Sequence, residues 1–322
     1  MPNQPSENSP ELPKQAPDQA IEQTDIVDTE QLANAILTGC ASGANISDHL
    51  ANLGTLKPDQ RETLQRHIGT LLAEHSSMLT EPQHWMTLQK VGRDVYIAIL
   101  RHASEHAGGM NKLTIGTKLA DILRRETDNS KKIESLDEAE SILINAIDET
   151  DEMNEGPEKM RALSSAYYTH SFISFGKAEM TGAGQEEEQR NLIDDSLTRL
   201  DISKRCAEQA DDHEGAAQSE IRWCAVHIDM NIGNMADLVP KLDALAKKLQ
   251  GSASTWGNRF LNNALTRRVE ASAKCSHPEW ESFYRETMER PGFEQQHGGA
   301  ENLKKWKEKN CPAALRKEEG LE

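Results

Sequence analysis

Two histidines one helical turn apart, with a glutamate between them, form a set able to hold a metal ion. His102-Ala103-Ser104-Glu105-His106 supplies that set. Residues at i and i+4 share a helix face, so both imidazoles can ligate zinc while the carboxylate activates water. The pair also stands just before Gly108-Gly109, where a helix should stop and where histidine is favoured by the negative end of the helix dipole. A second group is polar and cationic: Arg222, Arg259, Asn262, Asn263 and Arg267. A ladder of amides and guanidinium forks suits an extended anionic peptide, because arginine grips carboxylates with two parallel hydrogen bonds.

The His-x-x-Glu-His order resembles that of the inverted zinc peptidases. The resemblance implies a zinc-dependent hydrolase, with His102 and His106 as ligands and Glu105 as the base. Those enzymes use a large α/β domain and a further acidic ligand downstream. This chain has no strand pattern, so zinc hydrolysis stands as the alternative function. His67 and His75 lie two turns apart with no third partner in view, and His170 and His227 sit in amphipathic helices as packing residues. The glycine pairs lack the Lys-Ser/Thr ending and the preceding strand of a phosphate loop. The acidic runs Asp148–Glu155 and Glu186–Glu188 lack the alternating ligands and turn glycine of a calcium loop, and read as solvated linkers. No catalytic residue and no cofactor are assigned.

The elements that must position these residues are helices. β-branched runs with period two do not occur, whereas apolar residues three and four apart recur along the chain. Ser135-Leu136-Asp137-Glu138 reads as a capping box that opens a helix carrying Leu136, Ala139, Ile142, Leu143, Ala146 and Ile147. It pairs with Leu113–Arg125. Further helices are expected over Glu158–Lys177, Asn191–Ala210, Ala217–Ile232, Met235–Leu249 and from Trp256 to Val269. Upstream, one helix starts at Pro58 and another at Pro82, the second running on to Gly108-Gly109. Downstream, Ser276–Glu279 opens a helix, Gly292–Gly299 reads as a loop, and the segment from Glu301 forms a short helix or a frayed end.

The first helices of successive pairs begin near residues 112, 158, 215 and 255, an uneven period longer than the roughly 34 residues of a tetratricopeptide unit. Such pairs resemble the tetratricopeptide-like superfamily over about half the chain, with Ile221, Ala225 and Ala244 fitting one register of its pattern. The expected fold is all-α: antiparallel helix pairs stacked as a short tetratricopeptide-like solenoid, or an irregular helical bundle. The resemblance implies that the first helix of each pair lines a concave surface. There Asn, Lys and Arg bind peptide backbone or carboxylates, and so Arg222, Arg259, Asn262, Asn263 and Arg267 are placed on the binding face.

Composition bounds the rest. The chain has 322 residues and a formal charge of −17, which opposes nucleic acid or an anionic membrane as a general partner. Aromatics are only 4%, so Leu, Ile and Ala must build the core. Five scattered cysteines without metal spacing fit reduced thiols in a cytoplasmic protein. No apolar run approaches the length of a membrane span, so no membrane insertion is expected. The organisation expected is a disordered tail over 1–28, an N-terminal helical bundle or cap over 29–110, the helical repeat region over 111–290, and a loop with a charged end over 291–322. The tail composition also fits a non-cleaved export signal of an effector delivered into a host cell. The function expected is that of a non-enzymatic scaffold binding a protein or peptide, one with acidic groups fitting best.

Overall fold

The computed structural model describes residues 28–79 and 81–311, and among them there are helices and turns but no strand. The tail expected to be disordered lies, except for Asp28, outside the described residues.

The N-terminal helices are set by their ends. Asp28 accepts hydrogen bonds from the N–H groups of Glu30 and Gln31 and so opens α1 (Thr29–Ser42), which stops at Gly43 with φ 68°. After α2 (Ser47–Thr55), α3 (Pro58–His75) starts on a proline whose missing N–H costs nothing there. The single helix expected from Pro82 to residue 108 is two: α4 (Pro82–Leu88) and α5 (Arg93–His106). Gly92, at φ 101°, turns the chain between them, a backbone angle other residues rarely adopt.

Then come the long pairs: α6 (Gly109–Leu123) with α7 (Asn129–Asp148), α8 (Pro157–Met180) with α9 (Glu186–Gln209), and α10 (His213–Met230) with α11 (Met235–Leu249), followed by α12 (Thr255–Lys274). α13 (Trp280–Met288), α14 (Phe293–Gln296) and α15 (Ala300–Asn310) close the chain, so the loop expected over Gly292–Gly299 contains one helical turn. α7 corrects another expectation. It begins two turns before Ser135, because Asp128 caps it by accepting from the Ser130 N–H. The acidic run Glu186–Glu188 is likewise no linker. It forms the first turn of α9, where carboxylates meet the positive end of the helix dipole.

Neighbouring helices pack against each other in order. α6 lies on α7 and α8 on α9, while α6 touches α8, α8 touches α10, and α10 touches α12. The third pair departs from expectation: α11 packs mainly on α12 rather than on α10. Leu238, Leu242, Leu245 and Leu249 of α11 share one apolar cluster with Phe260, Leu261 and Leu265 of α12. A second cluster runs from Leu32 in α1 to Ala210, so the N-terminal helices bury their stripes in continuity with α6 through α9. Each fully buried Leu or Ile adds roughly 1.5–3 kcal/mol to such a core.

Between α8, α9 and α10 the packing is of another kind. The buried Ser203 donates to the Ser164 carbonyl at 2.8 Å, with the Ser219 hydroxyl 2.9 Å away. Ser196 donates to the Ser171 carbonyl at 2.8 Å, and Ser174 to Asp195 at 2.6 Å. Small side chains bring these helices close, and their hydroxyls are satisfied inside the seam. α8 therefore buries nearly its whole circumference, not the single stripe its sequence suggests.

Candidate functional site

The first helices of the pairs bring selected side chains to one face. At the end of α6, Asp121 accepts from Arg124 Nε at 2.8 Å and from Arg125 at 2.5 Å. On α8, Tyr168, Phe172 and Phe175 fall four and three apart and so share a stripe. On α10, Gln218, Arg222 and Asp229 fall four and seven apart, and on α12 Asn263, Arg267 and Glu270 do much the same.

Two guanidiniums lie on Phe172: Arg124 at 4.3 Å and Arg222 at 4.1 Å from the ring centre. Arg222 also stands 4.6 Å from Phe175. Such contacts contribute about 0.5–2 kcal/mol each, more where water is excluded. The Arg222 side chain is only 12% exposed, and Asp229, its one ion-pair partner among the described residues, is 4.0 Å away. Asp229 is already held by Arg267 at 2.7 Å. The buried Nε of Arg222 has no hydrogen-bond partner. Burial holds the Arg222 pKa below the ordinary arginine value, and the Arg267 and Arg124 charges push it the same way. Desolvation works against the Arg267 charge too, but Glu270 and Asp229 outweigh it and raise its pKa. Tyr168, whose phenol is raised by burial, meets the Phe172 ring edge-on at 5.2 Å. The cluster therefore pairs aromatic faces with a guanidinium whose hydrogen-bonding capacity is unspent, in a chain whose overall charge is negative. It can receive a carboxylate.

Of the five residues placed on the binding face, Arg222 and Arg267 come together across Asp229. Arg259 and Asn263 are exposed on the same stripe of α12 as Arg267, with Arg259 5.4 Å from the Trp256 ring. Asn262 points elsewhere. It is buried, and its Oδ1 accepts from Arg290 Nε at 2.6 Å. Sequence reasoning missed Arg124, Tyr168 and Phe172. A signal was present in Tyr168, Phe172 and Phe175, which form a stripe separate from Met160, Leu163 and Ile173. Which arginine would meet them is a matter of tertiary register.

His102, Glu105 and His106 do come together, in the last turn of α5. One possible ligand atom from each lies within 4.8 Å of the other two, and the imidazole centres are 4.2 Å apart. Thr70 Oγ1, on α3, is 3.2 Å from His102 Nε2. His106 Nδ1 is 2.7 Å from the His102 carbonyl oxygen. Burial lowers the His102 pKa, with the His106 charge adding to the effect, which favours the neutral imidazole that metals bind.

In one further polar cluster the inner carboxylates are already paired. A cleft of about 660 Å³ between α7 and the start of α9 is lined by Glu140, Glu187, Glu188, Asp195 and Arg199. Within it Glu140 is taken by Lys177 at 2.7 Å and His170 at 3.2 Å, and Asp195 by Ser174 and Arg199. The buried thiols of Cys40 and Cys224 are pushed up by burial to about 11 and about 12, which removes them as ready nucleophiles. No helix among the described residues is long and apolar enough to cross a membrane. Comparison with protein-family models, with curated proteins and with solved structures finds no match to this chain.

Proposed function

We propose that the protein is a non-enzymatic helical adaptor that binds an acidic segment of a partner protein across its first helices, with Arg222 as the anchor. One observation carries this reading: a nearly buried guanidinium rests on Phe172 and Phe175 and, among the described residues, has one carboxylate neighbour, Asp229, at 4.0 Å. A desolvated cation left in that state is costly, and an incoming carboxylate would supply the missing pair. Arg267, Arg259 and Asn263 extend the cationic and amide surface along α12. The packed helix pairs support the reading too, because resemblance to tetratricopeptide-like proteins implies that first helices carry the ligand.

The test is titration of the full chain against a peptide array in which acidic peptides are matched by Gln and Asn versions. Binding that favours the acidic set and falls at least tenfold in Arg222→Met, with helix content unchanged, is the expected result. Equal binding of both sets, or affinity untouched by the substitution, would refute it.

A further inference from the structure

The last turn of α5 carries chemistry that the adaptor reading does not use. Three residues with metal-ligating atoms, His102, Glu105 and His106, occupy positions i, i+3 and i+4 of one turn, and a possible ligand atom from each falls within 4.8 Å of the others. Nitrogen and oxygen ligands about 2.0–2.2 Å from a tetrahedral zinc ion stand roughly 3.3 Å apart. The three groups therefore need to draw in by at most about 1.5 Å. Glu105 and His106 are both exposed to solvent.

The imidazoles are also prepared for the task by their second contacts. The carbonyl oxygen of His102 lies against His106 Nδ1 at 2.7 Å, a contact that places the proton on Nδ1 and leaves the Nε2 lone pair for an ion. His102 is seated from a second helix. Thr70 holds its Nε2 at 3.2 Å, and Gly69 leaves room for the ring, since a Cβ at that position would lie 2.8 Å from His102 Cδ2. Ligating histidines are oriented in this way by hydrogen bonds from the residues behind them. The site lies at the C-terminal end of α5, where the helix dipole favours a cation. Arg66 acts against it, as a positive charge near His102.

We infer that His102, Glu105 and His106 form a binding site for one divalent transition-metal ion of the zinc type. Two neutral imidazoles and one carboxylate are a borderline donor set that suits zinc better than calcium or magnesium. Because the Glu105 carboxylate lies among the donors, it serves as a ligand rather than as a base for water. The ion ties the end of α5 to its seat on α3. The site is independent of the Arg222 cluster.

The full chain, stripped with a chelator, is titrated with zinc chloride by calorimetry and melted with and without the ion. One equivalent of zinc per chain is expected, together with a zinc-dependent rise in melting temperature. His106→Ala and Glu105→Gln, both at exposed positions, each weaken binding at least tenfold and abolish the rise. His75→Ala, on another exposed histidine, leaves both unchanged. His102→Ala removes a ring packed on Gly69 and bears on folding, so the two exposed positions decide the outcome. Zinc binding that survives His106→Ala, or the absence of heat and of any melting shift at millimolar zinc, would overturn the site.

Discussion

Arg268 and Arg222 each lie over a phenylalanine ring with little exposure to solvent, and they live in opposite circumstances. Arg268 on α12 stands 4.3 Å from the Phe283 ring, donates to Asp243 and to Glu286 at 2.5 Å each, and is 4% exposed at its side chain. Arg222 on α10 stands 4.1 Å from the Phe172 ring, with one carboxylate at 4.0 Å that a neighbouring arginine has already engaged. Both leave Nε without a partner, so the difference lies in the carboxylates. Arg268 joins α11, α12 and α13 as an internal tie. Arg222, at 12% exposed, is nearly as enclosed without the same company. The contrast teaches that burial of a charge does not by itself reveal its role; the balance of its partners does.

The strongest way to break the comparison is Arg268→Met. It strands Glu286 and leaves Asp243 with Lys247 alone, and because both carboxylates reach some water the expected loss is about 2–3 kcal/mol of stability in urea melts. A smaller loss would place Arg268 in the same class as Arg222. For Arg222→Met the expectation is reversed. Replacing an under-paired buried cation by an apolar side chain leaves stability unchanged or raises it by up to about 1 kcal/mol, even as acidic-peptide affinity falls tenfold. A clear loss of stability would show that Arg222 is structural after all.

Glu140 extends the comparison to a carboxylate with full company. Hydrogen bonding from His170 first, and then from Lys177, holds its pKa at about 2 against an ordinary 4.5. A depressed carboxylate contributes stability above its unfolded pKa and loses it as pH falls through the folded value. The gap between the native chain and Glu140→Gln is therefore expected to be constant above about pH 5 and to vanish between about pH 4.5 and pH 2. With partial exposure discounted, its size is about 1–2 kcal/mol. A gap that does not narrow on acidification would contradict the pairing. The smallest effects belong to Arg259→Ala and Asn263→Ala at exposed positions. Stability should change by less than about 0.5 kcal/mol and peptide affinity by less than about threefold, both read from the assays above. Larger affinity losses there would move the anchor from α10 to α12.

What the sequence discloses and what it withholds follow from distance along the chain. The His102–Glu105–His106 grouping is legible because one turn of one helix contains it. The paired helices are legible too, since apolar spacing is local. The start of α7 is not, because Ser135 and Glu138 satisfy a capping pattern anywhere, whereas Asp128 acts at a position where the upstream stripe is weak, with Ile133 exposed. Arg222 stands out in the sequence, but its aromatic seat does not. Phe172 lies fifty positions away, and its contact depends on how α8 and α10 are set by the loops around α9. Asn262 and Asn263 are adjacent and chemically identical, yet helical rotation sends one to Arg290 and the other to solvent.

The serine seam bears on how firmly that face is drawn. Sliding α9 by one turn against α8 would leave the Ser164, Ser196 and Ser203 hydroxyls without their partners across the seam, so the rods mesh like gear teeth at a single setting. A leucine-lined contact would tolerate creep; this one does not. The spacing from Phe172 to Arg222 is thus held like a ruled template, against which an arriving chain must do the adjusting.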